Sequence, residues 1–170
     1  KNIAEIGKER IKRVIKTIDN SDGKLDLGFK VLKLDSSNIK SWDSQTQDLE
    51  EDLLSAINNI VENRTEEDIL YEILLKYGLE LTLPIDNVEL IIDNGKRKAK
   101  LFNIGMGAMI ACLDDNITLE IVEGIGKLKV QENPENCRVV FMDKGFKDDE
   151  VKTNAMKILA NYGIEEIRSI

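Results

Sequence analysis

"FNIGMGAMIACLDD", residues 102–115, sets two glycines, Gly105 and Gly107, beside an apolar run. A loop that cradles a phosphate or dinucleotide needs a strand before its glycines and a helix after them, so that the helix's unpaired N–H groups face the anion. Here the residues after Gly107 continue as "AMIACLDD", a near-continuous apolar strand. The two glycines therefore read as a strand-to-strand turn, where glycine supplies a positive φ, and not as a cofactor loop.

Working outward from that turn fixes the neighbours. On the N-terminal side, "LTLPI" leads into "NVELIIDNGKRKAKLFNI", residues 87–104, a hairpin marked by Asn94-Gly95, the strongest short-range hairpin signal. On the C-terminal side a helix is expected from about Ile117 to Lys129, with Ile121, Ile125 and Leu128 on one side. "RVVFMD" repeats the buried-strand pattern, "FKDDEVKTNAMKILANYG" is a helix with acids in its first turn and Gly163 beyond its end, and "IEEIRSI" is a last strand. Strand-helix-strand-helix-strand with short apolar strands predicts an α/β fold, α+β overall: a small mixed sheet covered on both faces, with the hairpin adding antiparallel strands at one side.

The N-terminal half reads as helical. Ile3, Ile6, Ile11, Val14, Ile15 and Ile18 fall mostly at three- and four-residue steps, and Lys8, Arg10, Lys12, Arg13 and Lys16 occupy the rest, an amphipathic basic helix. "DNSDGKLD" stops it, "LGFKVLKLD" reads as a strand through Phe29, Val31, Leu32 and Leu34, and "SSNIKSWD" is a loop anchored by Trp42. Leu49, Leu53, Leu54, Ile57, Ile60 and Val61 make a second helical stripe. Thr65 with Asp68 begins a third helix that carries Ile69, Leu70, Ile73, Leu74 and Tyr77 and ends at Gly78. The expected divisions are residues 1–42, 43–83 and 84–170.

Charge is unevenly spread. From Asp43 to Glu72 there are ten acidic residues and one basic, whereas Lys1 to Ile18 holds six basic and two acidic; the whole chain carries a net charge of −8. An acidic run of this kind is the solvated face of helices, or a surface turned away from nucleic acid.

The composition, 42% hydrophobic and 33% charged, is that of a soluble globular protein, and no apolar run nears the ~20 residues of a membrane span. No histidine occurs, which removes Ser-His and Cys-His nucleophile pairs and imidazole zinc sites from this chain. Cys112 and Cys137 lack CxxC spacing and read as buried free thiols in a reducing compartment, so a cytoplasmic location is expected. The start at Lys1, with a helix already in progress, suggests a piece of a longer protein. For catalysis the pattern offers one opening. Asp114 and Asp143 sit at the carboxyl ends of two strands, where open α/β sheets bind ligands, so a magnesium-dependent phosphoryl-transfer site is conceivable; helix-start roles explain Asp115, Asp148 and Asp149 without it.

Five blocks carry a resemblance: "IAEIGKERIKRVI" (3–15), "LGFKVLKLDSSNIKSW" (27–42), "TEEDILYEILLKYGLELTLPI" (65–85), "GAMIACLDDNIT" (107–118) and "VVFMDKGFKDDEVKTNAMKIL" (139–159). In this order and spacing they resemble the C-terminal part of the modification subunit of type III restriction-modification systems, an adenine-specific DNA methyltransferase. The resemblance implies that the catalytic "DPPY" element, the target-recognition insertion and the glycine motif for S-adenosylmethionine lie upstream of this segment; none is in this sequence. It implies a non-catalytic assembly domain with no catalytic, cofactor-binding or metal residues of its own, S-adenosylmethionine belonging to the parent enzyme. The implied partners are a second modification subunit, the restriction subunit, and DNA through the parent protein, with no membrane. The alternative is a DNA-contacting module that sets Lys8, Arg10, Lys12, Arg13 and Lys16 on phosphates.

Overall fold

The computed structural model describes residues 2–18, 23, 25–40 and 60–170. These belong to two compact units, Lys1–Asp35 and Ser36–Ile170. Trp42 and most of the helix expected from Leu49 to Val61 lie outside the described residues.

In the first unit, helix α1 (Ile3–Thr17) begins at Asn2, whose side chain accepts from the Glu5 N–H, and buries none of its residues. Its apolar members stay in solvent: Ile3 is 88% and Val14 58% exposed. The strand expected at residues 27–35 is not formed; the backbone there belongs to no helix or strand. A strand requires a neighbour to take its N–H and C=O groups, and α1 cannot be that neighbour because a helix satisfies its own.

The second unit is a five-stranded sheet with helices on both faces. Its elements are α2 (Glu66–Lys76), β1 (Ile85–Ile92), β2 (Arg97–Ile104), β3 (Met109–Cys112), α3 (Leu119–Glu132), β4 (Arg138–Phe141), α4 (Asp149–Asn161) and β5 (Glu166–Ser169). Strand order follows the chain, β1-β2-β3-β4-β5. β1 pairs antiparallel with β2 and β2 with β3, whereas β3, β4 and β5 run parallel. The α/β expectation, hairpin and parallel module together, therefore holds.

Two details depart from the reading of the sequence. The hairpin turn is wider than a two-residue Asn-Gly turn: Ile92 pairs with Arg97, and Asp93, Asn94 and Gly95 all take positive φ. More consequentially, α3 and α4 do not divide the two faces of the sheet between them. Ile121, Val122, Ile125 and Leu128 of α3 and Ala155 and Leu159 of α4 share one core with Ile110, Cys112, Val139 and Phe141. The opposite face, Phe102, Ile104, Met109, Ala111 and Val140, is covered by Ile69, Leu70, Ile73 and Leu74 of α2. Successive crossovers that place strands in simple order 3-4-5 put their helices on the same side, because each parallel connection turns with the same hand. The stripe of α2 is thus a core face. Each of its four side chains contributes roughly 1.5–3 kcal/mol by leaving water.

Local chemistry sets the ends of these helices. Thr65 and Asp68 form a reciprocal capping box on α2, and Gly78, at φ +69°, ends it. Asp148 caps α4 by accepting from the Val151 N–H at 2.8 Å. Gly124 and Gly126 let α3 approach closely: a Cβ at Gly126 would lie 2.3 Å from the Tyr162 ring, and one at Gly124 2.3 Å from Leu90.

Candidate functional site

The glycine turn is the first place to look for a ligand, and the N–H groups of both its glycines are already used. Gly105, Met106 and Gly107 take φ of 60°, 54° and 88°, a run of left-handed residues between β2 and β3. The Gly107 N–H donates to Oδ1 of the buried Asn103 at 2.7 Å, and the Gly105 N–H donates to the Pro84 carbonyl at 2.9 Å. Asn103 is 3% exposed. A phosphate-binding loop presents its amides to solvent; this turn gives both glycine amides to protein oxygens. Asn103 is a residue that the pattern reading missed, because a polar residue at an inward strand position looks like an interruption of the core.

At the carboxyl edge of the sheet the two aspartates are engaged by different cations. Asp114, just after β3, forms an ion pair with Arg97, whose other guanidinium nitrogen donates to the Asn116 carbonyl at 2.9 Å. The Asn116 N–H in turn donates to Asp114 Oδ1 at 2.9 Å. Asp143, just after β4, is paired with Lys152, which also donates to Ser169 Oγ at 3.2 Å. The Lys152 ammonium holds the Asp143 carboxyl below its usual value. Asp115 meets Lys144 at 2.9 Å. Each acid is thus matched with its own cation, and among the described residues no group of three or more His, Cys, Asp or Glu side chains is placed to hold a metal ion. The arrangement ties loops together: Arg97 fastens the hairpin to the β3–α3 loop, while Lys152 fastens α4 to β4 and β5.

The thiols are equally quiet. Burial pushes Cys112 and Cys137 up to about 11, so neither is a thiolate at neutral pH.

The five basic residues of α1 are exposed or half-buried on a helix of their own unit. Lys8 is paired with Glu5, and Arg13 with Glu9 at 2.9 Å. Arg10, Lys12 and Lys16 have no ion-pair partner among the described residues. At 100° per residue, Lys8, Lys12 and Lys16 form one row and Arg10 and Arg13 a second, with Arg10 one turn from Val14 on the same side. The structure keeps all five on one helix but brings no other cation of the first unit's described helix to them.

A further cluster escaped the sequence reading. Glu72 of α2 accepts from the Ser37 hydroxyl at 2.5 Å, from the Asn38 N–H at 2.6 Å and from Lys76 at 2.8 Å. The buried Asn38 also donates to the Asp68 carbonyl at 3.0 Å, and its own carbonyl accepts from the Val61 N–H. Burial opposes ionisation of Glu72, but the bonds from Lys76, Ser37 and Asn38 outweigh it and take the carboxyl down to about 2. Beside this clamp lies an apolar groove of about 250 Å³ lined by Ile39, Ile69, Ile73, Tyr77 and Ile170. Spacing gave no signal for the clamp, since its partners are 34 and 35 residues apart in the chain.

Comparison of the chain with protein-family models, curated proteins and solved structures finds no match. Among the described residues, no helix is long and apolar enough to cross a membrane.

Proposed function

We propose that the chain is an assembly domain of a DNA-modifying complex: the C-terminal part of a type III restriction-modification methyltransferase subunit, cytoplasmic, and without catalytic or cofactor-binding residues of its own. The observation that carries the assembly role is α1, an amphipathic helix that buries nothing while leaving Ile3, Ile6, Ile11, Val14 and Ile18 exposed. Contiguous apolar surface of this kind marks interaction sites. The family assignment rests on the five sequence blocks, and the DNA adenine methylation and S-adenosylmethionine belong to the parent enzyme. Pairing with a second modification subunit is the simplest use of such a surface, since two-fold association is the commonest oligomer; the restriction subunit is the other partner.

Sedimentation equilibrium tests it. A dimer is expected at roughly 100 μM, where contacts of micromolar Kd are saturated. A strictly monomeric chain would remove self-association. The exposed rows of Arg10, Lys12 and Lys16 favour a second reading, an accessory contact to DNA phosphates. Titration of duplex DNA at rising salt separates the two, because phosphate contacts give an affinity that falls steeply with salt, whereas a net charge of −8 works against autonomous binding.

A further inference from the structure

β1 is an eight-residue strand at the edge of the second unit's sheet, in unbroken register with β2 and without proline or lysine. The Gly105 N–H bonds to the Pro84 carbonyl in line with that register. Every second residue from Pro84 onward therefore bonds to β2, and Ile85, Asn87, Glu89 and Ile91 turn their N–H and C=O groups outward. Among the described residues, nothing outside β2 bonds to the β1 backbone. Long regular edges of this kind template a further strand. Ile91 is 72% exposed there, although alternation puts it on the same sheet face as Ile85, which packs on the α2 core.

We propose that β1 of one copy pairs with β1 of a second copy as antiparallel strands about a two-fold axis at Val88, joining the two sheets edge to edge. The strand is its own complement in that register. Ile85 meets Ile91 of the second copy and Asn87 meets Glu89, each pair occurring twice, while Val88 faces Val88. The outward-turned residues thus exchange main-chain hydrogen bonds only with one another. Glu89 accepts from Lys98 through Oε2 at 2.7 Å; its other oxygen would take the Asn87 amide. Asp86 falls opposite Leu90 of the second copy, beside a groove of about 560 Å³ lined by Leu90, Glu123 and Lys127. Lys127, 3.9 Å from Glu123, is the cation for it. Other registers fail on chemistry. An axis at Asp86 or Glu89 sets two carboxylates face to face, and one at Asn87 or Leu90 sets Glu89 against an isoleucine. An axis between residues sets outward groups against residues that already bond to β2.

The second copy is the occupant because the order of apolar and polar positions from Ile85 to Ile91 matches itself when reversed, and because pairing about a two-fold axis closes at two copies. Strand addition of this kind draws affinity from main-chain hydrogen bonds and specificity from alternate side chains. The pairing rests on the reading of the chain as an assembly domain and gives it an interface in the second unit.

The test uses the full chain in sedimentation equilibrium. Asn87→Pro removes an outward N–H that β2 does not use, so the unfolding midpoint at about 1 μM should hold while dimerisation weakens at least about tenfold. An unchanged Kd overturns the pairing. If that variant does not fold, Ile91→Lys takes its place, since lysine at an exposed edge position guards the edge without entering the core; its Kd decides in the same way. The register is tested separately. Val88→Cys, mildly oxidised, should give a covalent dimer on a non-reducing gel, because only at the axis does a residue meet its own copy, whereas Ile91→Cys should not. No link through Val88→Cys, or an equal link through Ile91→Cys, overturns the register. A chain that sediments as a dimer yet fails these tests refutes the edge pairing alone; a chain monomeric at roughly 100 μM refutes the assembly reading with it.

Discussion

Helices α1 and α2 look alike as sequence, each with an apolar stripe at helical spacing and an N-terminal cap, yet one buries nothing and the other buries Ile69, Leu70, Ile73 and Leu74. Periodicity states which face of a helix is apolar. It does not state what, if anything, lies against that face. For α2 the cover is the face of a sheet whose strands come twenty to seventy residues later; α1 finds no cover within its own unit, and its stripe is the exposed surface on which the assembly reading stands.

The largest expected contrast comes from the centre of the sheet. Phe141 is 1% exposed at the end of β4, edge-on to Phe146 with ring centroids 5.1 Å apart. Phe141→Ala should cost about 3–5 kcal/mol in denaturant unfolding, the usual range for emptying a packed aromatic site. A loss below about 1 kcal/mol would mean that the sheet is loosely packed and that the two units differ less than their burial implies.

Gly107 comes next. Its φ of +88° disfavours any side chain, and a Cβ there would lie 3.0 Å from both Glu132 and Pro134. Gly107→Val should therefore destabilise by on the order of 1–3 kcal/mol. An unchanged unfolding midpoint would argue against the strained turn. Titration with S-adenosylmethionine should show no binding to the unaltered chain; micromolar, stoichiometric binding would reverse the reading of this turn.

The hairpin, the two parallel crossovers and the glycine turn were legible because each is written locally: Asn94-Gly95, apolar runs of strand length, and caps at Asp148 and Gly163. The residues that lock these elements together were not. Asn103 holding the Gly107 amide, Arg97 reaching Asp114 and Glu72 gripping Ser37 and Asn38 join positions distant in the chain or masked by their polarity. The assignment of Asp114 and Asp143 to one edge was legible, but their cations were not, since Arg97 and Lys152 reach them only after the sheet and helices have packed.

Glu72 offers a smaller effect with a definite sign. Its carboxyl drops from 4.5 to about 2 on folding, so the folded state favours the ionised form. The stabilisation is complete above the unfolded value and is lost as pH falls from about 4.5 towards 2. Its size should be on the order of 1–2 kcal/mol, as for a carboxylate held by several hydrogen bonds near the surface. Glu72→Gln should lower stability at neutral pH and flatten that part of the acid limb. If the acid limbs of the two proteins superimpose, the clamp does not contribute.

The smallest effect is the most informative about the comparison. Ile11 and Val14 on α1 are 46% and 58% exposed, so truncating them removes far less buried area than emptying a packed core site, and alanine is the better helix former at both positions. In the single chain, Ile11→Ala with Val14→Ala should shift stability by no more than about 0.5 kcal/mol. The measurement has to be made at two concentrations. At about 1 μM, where a micromolar dimer is substantially dissociated, the unfolding midpoint should match that of the parent chain. At roughly 100 μM, where the dimer is saturated, a deficit that appears only then would place these two residues in the interface, because a partner that binds the native state adds to its stability by mass action. A loss above about 1 kcal/mol at the lower concentration would show instead that the α1 face is already covered within one chain, and the contrast between the two helices would disappear.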